Sequence, residues 1–306
     1  MKNVTADQQD ADVIQLITEL LHVTPQDITD LKVMKKGMTN RSFVFCCGSR
    51  KYSIRMPGEG TERLIHRYEE AEVYRVLKGR NLCDSVIYMD PEKGYKITEF
   101  IEDARVCDPY DEEDVRACMK KLKELHGMQL RVRHEFDIFA QISFYEMLRE
   151  GKTSIYPDYE ETKRKVFLLK QYIEKQHCER CLTHIDAVPD NFIFTGDGEV
   201  RLIDWEYAGM QDPHVDIAMF CIYASYHRGQ IDGLIDLYFE GKCPEETRIK
   251  IYCYIAAGGL LWSNWCEYKR CLGVEFAEYS QRQYRYAREY CRLVSDTLGG
   301  STECIK

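Results

Sequence analysis

Most strand-like runs of this chain lie in its first hundred residues, and helical periodicity dominates the remainder apart from a short hairpin near residues 192–203. Short runs rich in β-branched and aromatic residues, bounded by turn formers, predict five strands. They lie at 31–35, 41–46, 51–56, 86–89 and 95–100. Beyond residue 101, apolar residues recur every three or four positions, as on the buried face of a helix. The division predicts an α+β fold, with a small β-rich lobe over residues 1–100 and a larger helical lobe over residues 101–306.

The same spacing locates the helices. One helix precedes the strands, because Val13, Ile17 and Leu20 fall on one face, and Thr24-Pro25 begins a second, short one. In the second lobe, residues 111–126 place Val115 and Leu122 on one face. The other predicted helices span 143–150, 159–175, 215–226, 230–239, 244–270 and 276–298.

Composition excludes several classes of protein. A hydrophobic content of 44% with 30% charged residues is typical of a globular chain rather than a disordered one. The N-terminus lacks the apolar core of a signal peptide, and no run has the apolar length of a membrane span. The net charge of −9 opposes binding to nucleic-acid phosphates. We therefore expect a cytoplasmic protein that binds a small molecule, with no nucleic-acid partner and no membrane insertion.

The chain has fourteen cysteines, largely within apolar periodic segments. Cys in such segments behaves as a small buried hydrophobe. Cys178 and Cys181 have the spacing of a metal-binding pair, but no second pair at zinc-finger spacing accompanies them. We therefore expect structural thiols rather than a zinc centre.

Residues 184–204, HIDAVPDNFIFTGDGEVRLID, carry the strongest functional signal. His184 and Asp186 are followed by Asn191 and, after an apolar hairpin with a Gly-Asp-Gly turn, by Asp204. Phosphoryl transfer needs a carboxylate that orients the attacking hydroxyl and accepts its proton, and an Asn and an Asp that hold metal on the nucleotide phosphates. Asp186 suits the first role, and Asn191 and Asp204 the second. Each residue alone is typical of a turn, but the ordered set predicts a kinase-type active site.

Two segments of the β-rich lobe are candidate nucleotide contacts. The turn GMTN joins the first two strands, and we expect its Thr39 and Asn40 to lie over the phosphates. The segment TEFI, residues 98–101, lies at the end of the fifth predicted strand, and we expect its backbone, from Glu99 to Ile101, to meet adenine as a hinge. A single glycine-containing turn is weak evidence, since most such turns bind nothing.

Arg55 lies in the third predicted strand, from which its guanidinium would point toward the phosphates. A strand cation of kinases pairs with an acid on the next helix, and Glu69 or Glu70 stands at that place. The simpler alternative is an exposed cation beside the solvated face of a helix.

Aromatic residues of the helical lobe indicate the second substrate. Trp262 and Trp265 stand three apart and therefore share one face of a helix. Aromatic faces hold quaternary ammonium groups, which donate no hydrogen bonds. Tyr223 and Tyr226, and also Tyr268, are candidate further walls of such a pocket. The alternative is that these rings are core, although Gly258 and Gly259 indicate that another group approaches this helix closely.

The segments GMTNRSFVF, YSIRMPG, YKITEFIEDAR, HIDAVPDN and LIDWEY, in this order, resemble the choline kinase branch of the aminoglycoside phosphotransferase and choline kinase superfamily, in particular the LicA-type bacterial choline kinases. The resemblance covers residues 30 to 300 and implies a bilobal protein-kinase-like fold. It also implies ATP- and Mg²⁺-dependent phosphorylation of a small alcohol, with Asp186 as base and with Asn191 and Asp204 as metal ligands. The Trp pair resembles that of choline pockets, and Asp186 and Glu206 join the expected substrate contacts.

The chain departs from the family pattern at two positions. Ile185 stands where eukaryotic choline kinases have Asn and aminoglycoside kinases commonly have Gly, and Arg55 stands where protein kinases have Lys. The substrate therefore stays open between choline and ethanolamine, an aminoglycoside or another amino alcohol. A catalytically dead nucleotide-binding module is the third alternative, and it would be expected to lack one of Asp186, Asn191 and Asp204.

Overall fold

The computed structural model describes residues 6–34, 40–58, 61–176 and 178–299. The expected phosphate contact Thr39 lies outside these ranges, as does most of the turn that contains it. The chain divides into two compact units. The first unit comprises Met1–Arg105 and Phe194–Glu206, and the second unit comprises Val106–Ile193 and Tyr207–Lys306.

The first unit contains a five-stranded antiparallel sheet, as the sequence predicts. Its strands are β1 (Ile28–Val33), β2 (Asn40–Cys47), β3 (Arg50–Pro57), β4 (Val86–Met89) and β5 (Lys96–Glu99), in the order β1-β2-β3-β5-β4. Arg55 of β3 is paired with Ser42 of β2 on one side and with Lys96 of β5 on the other. Arg55 therefore lies in the central strand, and its side chain is buried.

The described part of this unit also has two α-helices, α1 (Ala6–Leu21) and α2 (Arg67–Leu77). Helix α1 and the sheet share one hydrophobic core. Its buried members are Val13, Ile17, Ile28, Phe43, Phe45, Ile54 and Ile97. Burial of each such side chain stabilises the fold by about 1.5–3 kcal/mol, so the sheet that carries Arg55 has a rigid support.

The second unit is largely helical. Its helices are α3 (Glu112–Gly127), α4 (Ile138–Met147), α5 (Tyr159–Lys175), α6 (His214–Tyr223), α7 (Arg228–Phe239), α8 (Glu245–Cys271) and α9 (Ala277–Thr297). Helix α8 is buried along most of its length and packs against α4, α5, α6 and α9. None of the helices in the described ranges has the length and apolarity needed to cross a bilayer.

Two predicted helix boundaries are wrong. Helix α4 starts five residues before the predicted 143, because the Asp137 carboxylate caps it by accepting from the N–H groups of Phe139 and Ala140. Helix α6 ends at Tyr223 rather than 226, because Ser225 has a φ of 63°, in the left-handed region, which ends an α-helix. Tyr226 consequently lies beyond the helix and outside its register.

The close approach to α8 expected from its two glycines occurs against a neighbouring helix. A Cβ on Gly259 would lie 2.5 Å from the carbonyl oxygen of Gln283 and 2.8 Å from the amide nitrogen of Ala287, both in α9. Helices α8 and α9 therefore meet backbone to backbone at this point, which only glycine permits.

Five short strands complete the fold in the described ranges: β6 (Arg105–Val106), β7 (Cys181–Thr183), β8 (Phe192–Phe194), β9 (Val200–Leu202) and β10 (Gly209–Gln211). Within the second unit, β7 pairs antiparallel with β10. The cysteines that the structure describes are free thiols, and seven of them are buried, as expected for structural residues.

Candidate active site

The loop after β7 carries the predicted base. Asp186 is half-buried, and the side-chain amide nitrogen of Asn191 donates to its backbone carbonyl at 2.9 Å and to its carboxylate Oδ2 at 3.1 Å. Because Asn191 uses its NH₂ group toward Asp186, its Oδ1 is the atom that remains for a metal. Asp186 and Asn191 are thus brought together, with the carboxylate held in one orientation.

The residue between His184 and Asp186 is conformationally unusual. Ile185 is fully buried and has a φ of 67°. Left-handed backbone disfavours a β-branched residue, and it is the conformation that Gly and Asn adopt most readily. The departure at position 185 therefore places a strained residue next to the predicted base, and other contacts must hold the loop.

Asp216 of α6 supplies those contacts. Its carboxylate accepts the N–H of His184 at 2.9 Å and the N–H of Ile185 at 2.7 Å. The same carboxylate, which is fully buried, lies 2.9 Å from Nε2 of His126, whose Nδ1 is 2.9 Å from the hydroxyl of Tyr238. Sequence reasoning missed this chain of contacts, since Asp216, His126 and Tyr238 all lie outside the HIDAVPDN segment.

We expect Asp216→Asn to destabilise the protein by about 1.5–3 kcal/mol, because hydrogen bonds to a charged group contribute about that much and the amide can satisfy only part of the set. Chemical denaturation of both proteins gives the difference in the free energy of unfolding. Asp296→Asn, at an exposed site on α9, is the matched control. Equal stability of Asp216→Asn and wild type would show that this carboxylate does not hold the loop.

In the first unit, Arg55 is paired with Glu70 rather than Glu69. Its Nη2 donates to Glu70 Oε2 at 2.7 Å, and its Nη1 donates to the other carboxylate oxygen. Burial opposes the ionisation of Glu70, but Arg55, with help from Lys96 and Arg67, outweighs it and lowers the pKa of Glu70 to about 2. Arg55 and Glu70 thus form the strand–helix ion pair expected of a kinase.

The second predicted metal ligand, Asp204, follows β9 in the same unit. Its backbone has a φ of 64°, and its Oδ1 lies 3.5 Å from Arg55 Nη1. Within the described ranges, that oxygen is buried and accepts no hydrogen bond. A buried carboxylate oxygen without a donor, on a partly exposed side chain, fits a hard cation such as Mg²⁺, which prefers carboxylate and carbonyl oxygens.

Glu206, expected among the substrate contacts, is placed in the ionic cluster of the first unit. Its Oε2 accepts from Asn40 Nδ2 at 2.8 Å and from Arg67 Nη1 at 3.0 Å. Burial and the neighbouring Asp204 raise the pKa of Glu206. Asn40, which is expected to contact phosphate, donates to this carboxylate. The described contacts of Glu206 and Asn40 thus hold the two side chains to each other and to Arg67.

The hinge segment lines a cavity of about 320 Å³ within the first unit. Glu99 and Ile101 both contribute to its wall, together with Ser85, Phe100, Glu102, Asp103, Thr195, Gly196, Asp197 and Arg201. The N–H groups of Glu99 and Phe100 donate to the carbonyls of Ser85 and Lys51. No carbonyl in the described backbone accepts from the N–H of Ile101. The cavity is at the lower end of the size range of small-molecule sites.

Trp262 and Trp265 lie in α8 and are almost completely buried, at 6% and 2% exposure. Their ring centroids are 6.4 Å apart, and Trp262 also contacts Tyr207 at 5.4 Å, while Trp265 contacts Phe276 at 5.4 Å. The ammonium group of Lys269 lies near the second tryptophan, with its Nζ 5.5 Å from the ring centroid of Trp265. Such burial is compatible with core packing and with a closed aromatic pocket.

A second aromatic pair lies near Asp186. The rings of Tyr223 and Tyr279 are 5.6 Å apart. Burial and the Asp186 carboxylate raise the pKa of Tyr223, and Asp186 also contributes, after burial and Tyr223, to the raised pKa of Tyr279. Sequence reasoning missed Tyr279, although it stands three residues after Phe276, the same spacing as the two tryptophans. We use the name aromatic cluster for two groups of rings taken together: Tyr207, Trp262, Trp265 and Phe276 in the first, and Tyr223 and Tyr279 in the second.

Tyr226 is not brought to the aromatic cluster in any described contact. Its hydroxyl donates to the carbonyl of Pro109, its ring lies 6.3 Å from that of Tyr110, and its own carbonyl accepts from the hydroxyl of Tyr286 at 2.7 Å. The left-handed turn at Ser225 directs it there. Tyr268 is fully buried along α8.

Comparisons of this chain with protein families, with related sequences and with solved structures agree with one another. The family model for choline/ethanolamine kinase matches residues 31–255. The protein LicA of Haemophilus influenzae is 26% identical over 265 residues, which cover 81% of this chain and 76% of LicA. The crystal structure of choline kinase LicA from Streptococcus pneumoniae superimposes with a TM-score of 0.81 at 28% identity, covering 93% of this chain and 99% of that one.

A structure of LicA in complex with AMP superimposes with a TM-score of 0.80 at 28% identity, covering 92% of this chain and 98% of that one. The α+β, protein-kinase-like fold expected from the sequence is therefore confirmed. The chain belongs to the choline/ethanolamine kinase family and is an ATP-dependent kinase.

Proposed function

We propose that this kinase transfers the γ-phosphoryl group of ATP to the hydroxyl of choline and releases phosphocholine. The observation that carries the proposal is the aromatic cluster, two of whose tyrosines lie near the predicted base Asp186. A trimethylammonium group has no N–H to donate, so aromatic faces are the protein groups best suited to hold it. The LicA of Streptococcus pneumoniae, similar to this chain over most of its length, is a choline kinase.

Asp186 is assigned the role of base for the attacking hydroxyl. Its orientation by Asn191 supports this role, because a general base must be held within hydrogen-bond reach of the proton that it accepts. The hydroxyl proton moves to a carboxylate oxygen of Asp186 as the new oxygen–phosphorus bond forms, while the bond between the γ-phosphorus and the bridging oxygen breaks and ADP leaves. The two contacts of Asp216 with the loop keep Asp186 in place.

Asn191 and Asp204 are each assigned as magnesium ligands, the role that the family resemblance implies. The assignment is supported by the side-chain oxygen of Asn191, whose NH₂ group donates to Asp186, and by Oδ1 of Asp204, which accepts no hydrogen bond within the described ranges. When bound, magnesium would neutralise charge on the nucleotide phosphates. Arg55, fixed by Glu70, supplies a permanent cation near Asp204 and is assigned to the phosphates, together with Asn40 and Thr39.

The hinge cavity is assigned to adenine. Ile101 offers an N–H that no described carbonyl accepts, and Glu99 lies two residues before it in the same wall. Adenine presents both hydrogen-bond donors and acceptors at one edge, so a backbone segment with an unused amide suits it.

We expect Trp262→Ala to raise the Michaelis constant for choline roughly 2- to 30-fold, because one aromatic face contributes about 0.5–2 kcal/mol to binding a cation. The Michaelis constant for ATP should stay near its wild-type value, and Trp262→Phe should have a smaller effect. Turnover of choline, ethanolamine and an aminoglycoside is measured with each variant. Tyr110→Ala removes an exposed ring outside the aromatic cluster and is the control.

If the tryptophans of α8 are core residues rather than part of a binding pocket, Trp262→Ala is expected to give a different result. Truncation of a core Trp lowers stability by about 3–5 kcal/mol and reduces activity toward every substrate alike. Melting temperatures measured beside the Michaelis constants separate the two interpretations. A wild-type preference for ethanolamine, or a stable Trp262→Ala enzyme with unchanged choline kinetics, would contradict the choline proposal.

A further inference from the structure

Arg67, the first residue of α2, joins three segments of the first unit. Its Nη1 donates to Glu70 Oε2 and to Glu206 Oε2, both at 3.0 Å. Its Nη2 donates to Asn40 Oδ1 at 3.1 Å. Asn40 begins β2, and its amide nitrogen donates to the same oxygen of Glu206 at 2.8 Å. Arg67 therefore links the start of β2, helix α2 and the segment that follows β9.

Because the side chains of this network are shielded from water, solvent screens their electrostatic interactions only weakly. The side chain of Arg67 is 10% exposed, and those of Glu70 and Glu206 are 0% and 1% exposed. A buried carboxylate without a partner is strongly destabilising, which makes the partners of Glu206 important. Within the described contacts these partners are Asn40, Arg67 and, at 3.5 Å, Arg55.

Arg55 by itself does not form direct hydrogen bonds with all of the carboxylates around it. Its two terminal nitrogens donate to Glu70, and its Nη1 lies 3.5 Å from both Asp204 and Glu206, beyond good hydrogen-bond distance. Arg67 provides the direct hydrogen bond to Glu206 that Arg55 does not. The planar fork of arginine reaches several acceptors at once, which a lysine ammonium at this position would not do.

Glu206 lies two residues after Asp204, whose backbone is in the left-handed region. A non-glycine residue keeps that conformation only where its surroundings fix it. Anchoring Glu206 fixes the segment and with it the direction of the Asp204 carboxylate.

We propose that Arg67 is a positioning residue for phosphoryl transfer: by binding Glu206 and Asn40 it holds the segment 204–206 so that Asp204 is ready to ligate magnesium. The inference rests on the proposed function, in which Asp204 is a magnesium ligand. Arg67 acts through Glu206 and contacts neither substrate. Its loss therefore changes the dependence on magnesium and the turnover number more than it changes the Michaelis constant for the alcohol.

Arg67→Lys tests the proposal with the charge retained, and Arg67→Ala removes the group entirely. Both are compared with Arg75→Lys and Arg75→Ala on the same helix, where Arg75 is exposed and pairs only with Glu72 in the described contacts. For each protein we measure the melting temperature, the affinity for ADP with and without Mg²⁺ by calorimetry, and kcat and KM with choline.

We expect kcat of Arg67→Lys to fall about tenfold and that of Arg67→Ala up to about a hundredfold, the scale of a misplacement of about 1 Å. The Mg²⁺-dependent gain in ADP affinity should shrink about three- to tenfold, while ADP affinity without Mg²⁺ and the KM for choline stay close to wild type. The Arg75 variants should match wild type in every measurement. Should Arg67→Ala not fold, Arg67→Lys decides.

A folded Arg67→Lys protein with wild-type kcat and wild-type Mg²⁺ dependence of ADP binding would overturn the proposal. A loss confined to melting temperature would also overturn it, since that is the result of a purely structural role. If wild type phosphorylates no amino alcohol, the proposed function fails, but the magnesium dependence of ADP binding still decides the role of Arg67.

Discussion

Asp186→Asn should lower kcat by at least about a hundredfold, the usual contribution of a general base, while the affinity for Mg²⁺-nucleotide stays close to that of wild type. The substitution preserves the geometry of the loop, because an amide oxygen still accepts the hydrogen bond that Asn191 donates to Asp186. The substitution removes the negative charge of the side chain and, with it, the ability to take up a proton. Steady-state kinetics with choline and calorimetry with Mg²⁺-ADP provide the two measurements.

Asp190→Asn is the matched control for that experiment. Asp190 is exposed in the same short helical turn as Asn191, so its replacement changes the charge of the loop without touching the predicted base. We expect its kcat to stay within about threefold of wild type, since exposed charges contribute little. Near-normal turnover by Asp186→Asn, or equal losses in both variants, would remove Asp186 from the role of base.

The second large effect is expected at Asp204. Asp204→Asn should reduce turnover by about 10²- to 10³-fold, the scale of losing one group that stabilises charge in the transition state. It should also abolish most of the gain in ADP affinity that Mg²⁺ provides. Asn is preferable to Ala here, because the φ of 64° at this position is tolerated by Asn, whereas Ala adds roughly 1 kcal/mol of backbone strain.

Asp30 offers a control for the backbone conformation. It is exposed in β1 and also left-handed, with a φ of 51°. Asp30→Asn should leave activity, magnesium dependence and melting temperature close to wild type. If Asp204→Asn keeps its activity, or loses stability while each folded molecule stays fully active, the carboxylate is structural and the metal assignment is incorrect.

The parts of the fold that depend on local pattern could be predicted from the sequence. Runs of β-branched and aromatic residues indicated the five strands, and the strand–helix spacing placed Glu70 within reach of Arg55. The arrangement of Asp186 and Asn191 was also predictable, because their contact is made between residues five apart in one loop. Short-range geometry of this kind is determined by spacing along the chain.

Contacts between segments that are far apart in the sequence produce no local pattern from which they could be predicted. Asp216 and His126 are 90 residues apart, and Arg67 and Glu206 are 139 apart, so no periodicity in either segment indicates its partner. Glu206 is expected among the substrate contacts, but nothing in its own segment indicates that its buried carboxylate accepts hydrogen bonds from Asn40 and Arg67. Tyr226 was expected beside Tyr223, but a single left-handed residue between them, Ser225, directs it elsewhere.

The contact at Gly259 has a consequence for how the substrate range of this kinase can evolve. Trp262 and Trp265 are carried by α8, while Phe276 and Tyr279 stand at the start of α9, and the two helices touch through their backbones at Gly259. At this crossing the two helices are as close as their backbones allow, and any added side-chain atom would force them apart. Under the proposed function, a pocket for a bulkier or smaller alcohol must therefore be made by replacing individual rings while the two helices keep their places, and a larger residue at position 259 would require a rebuilt helix junction.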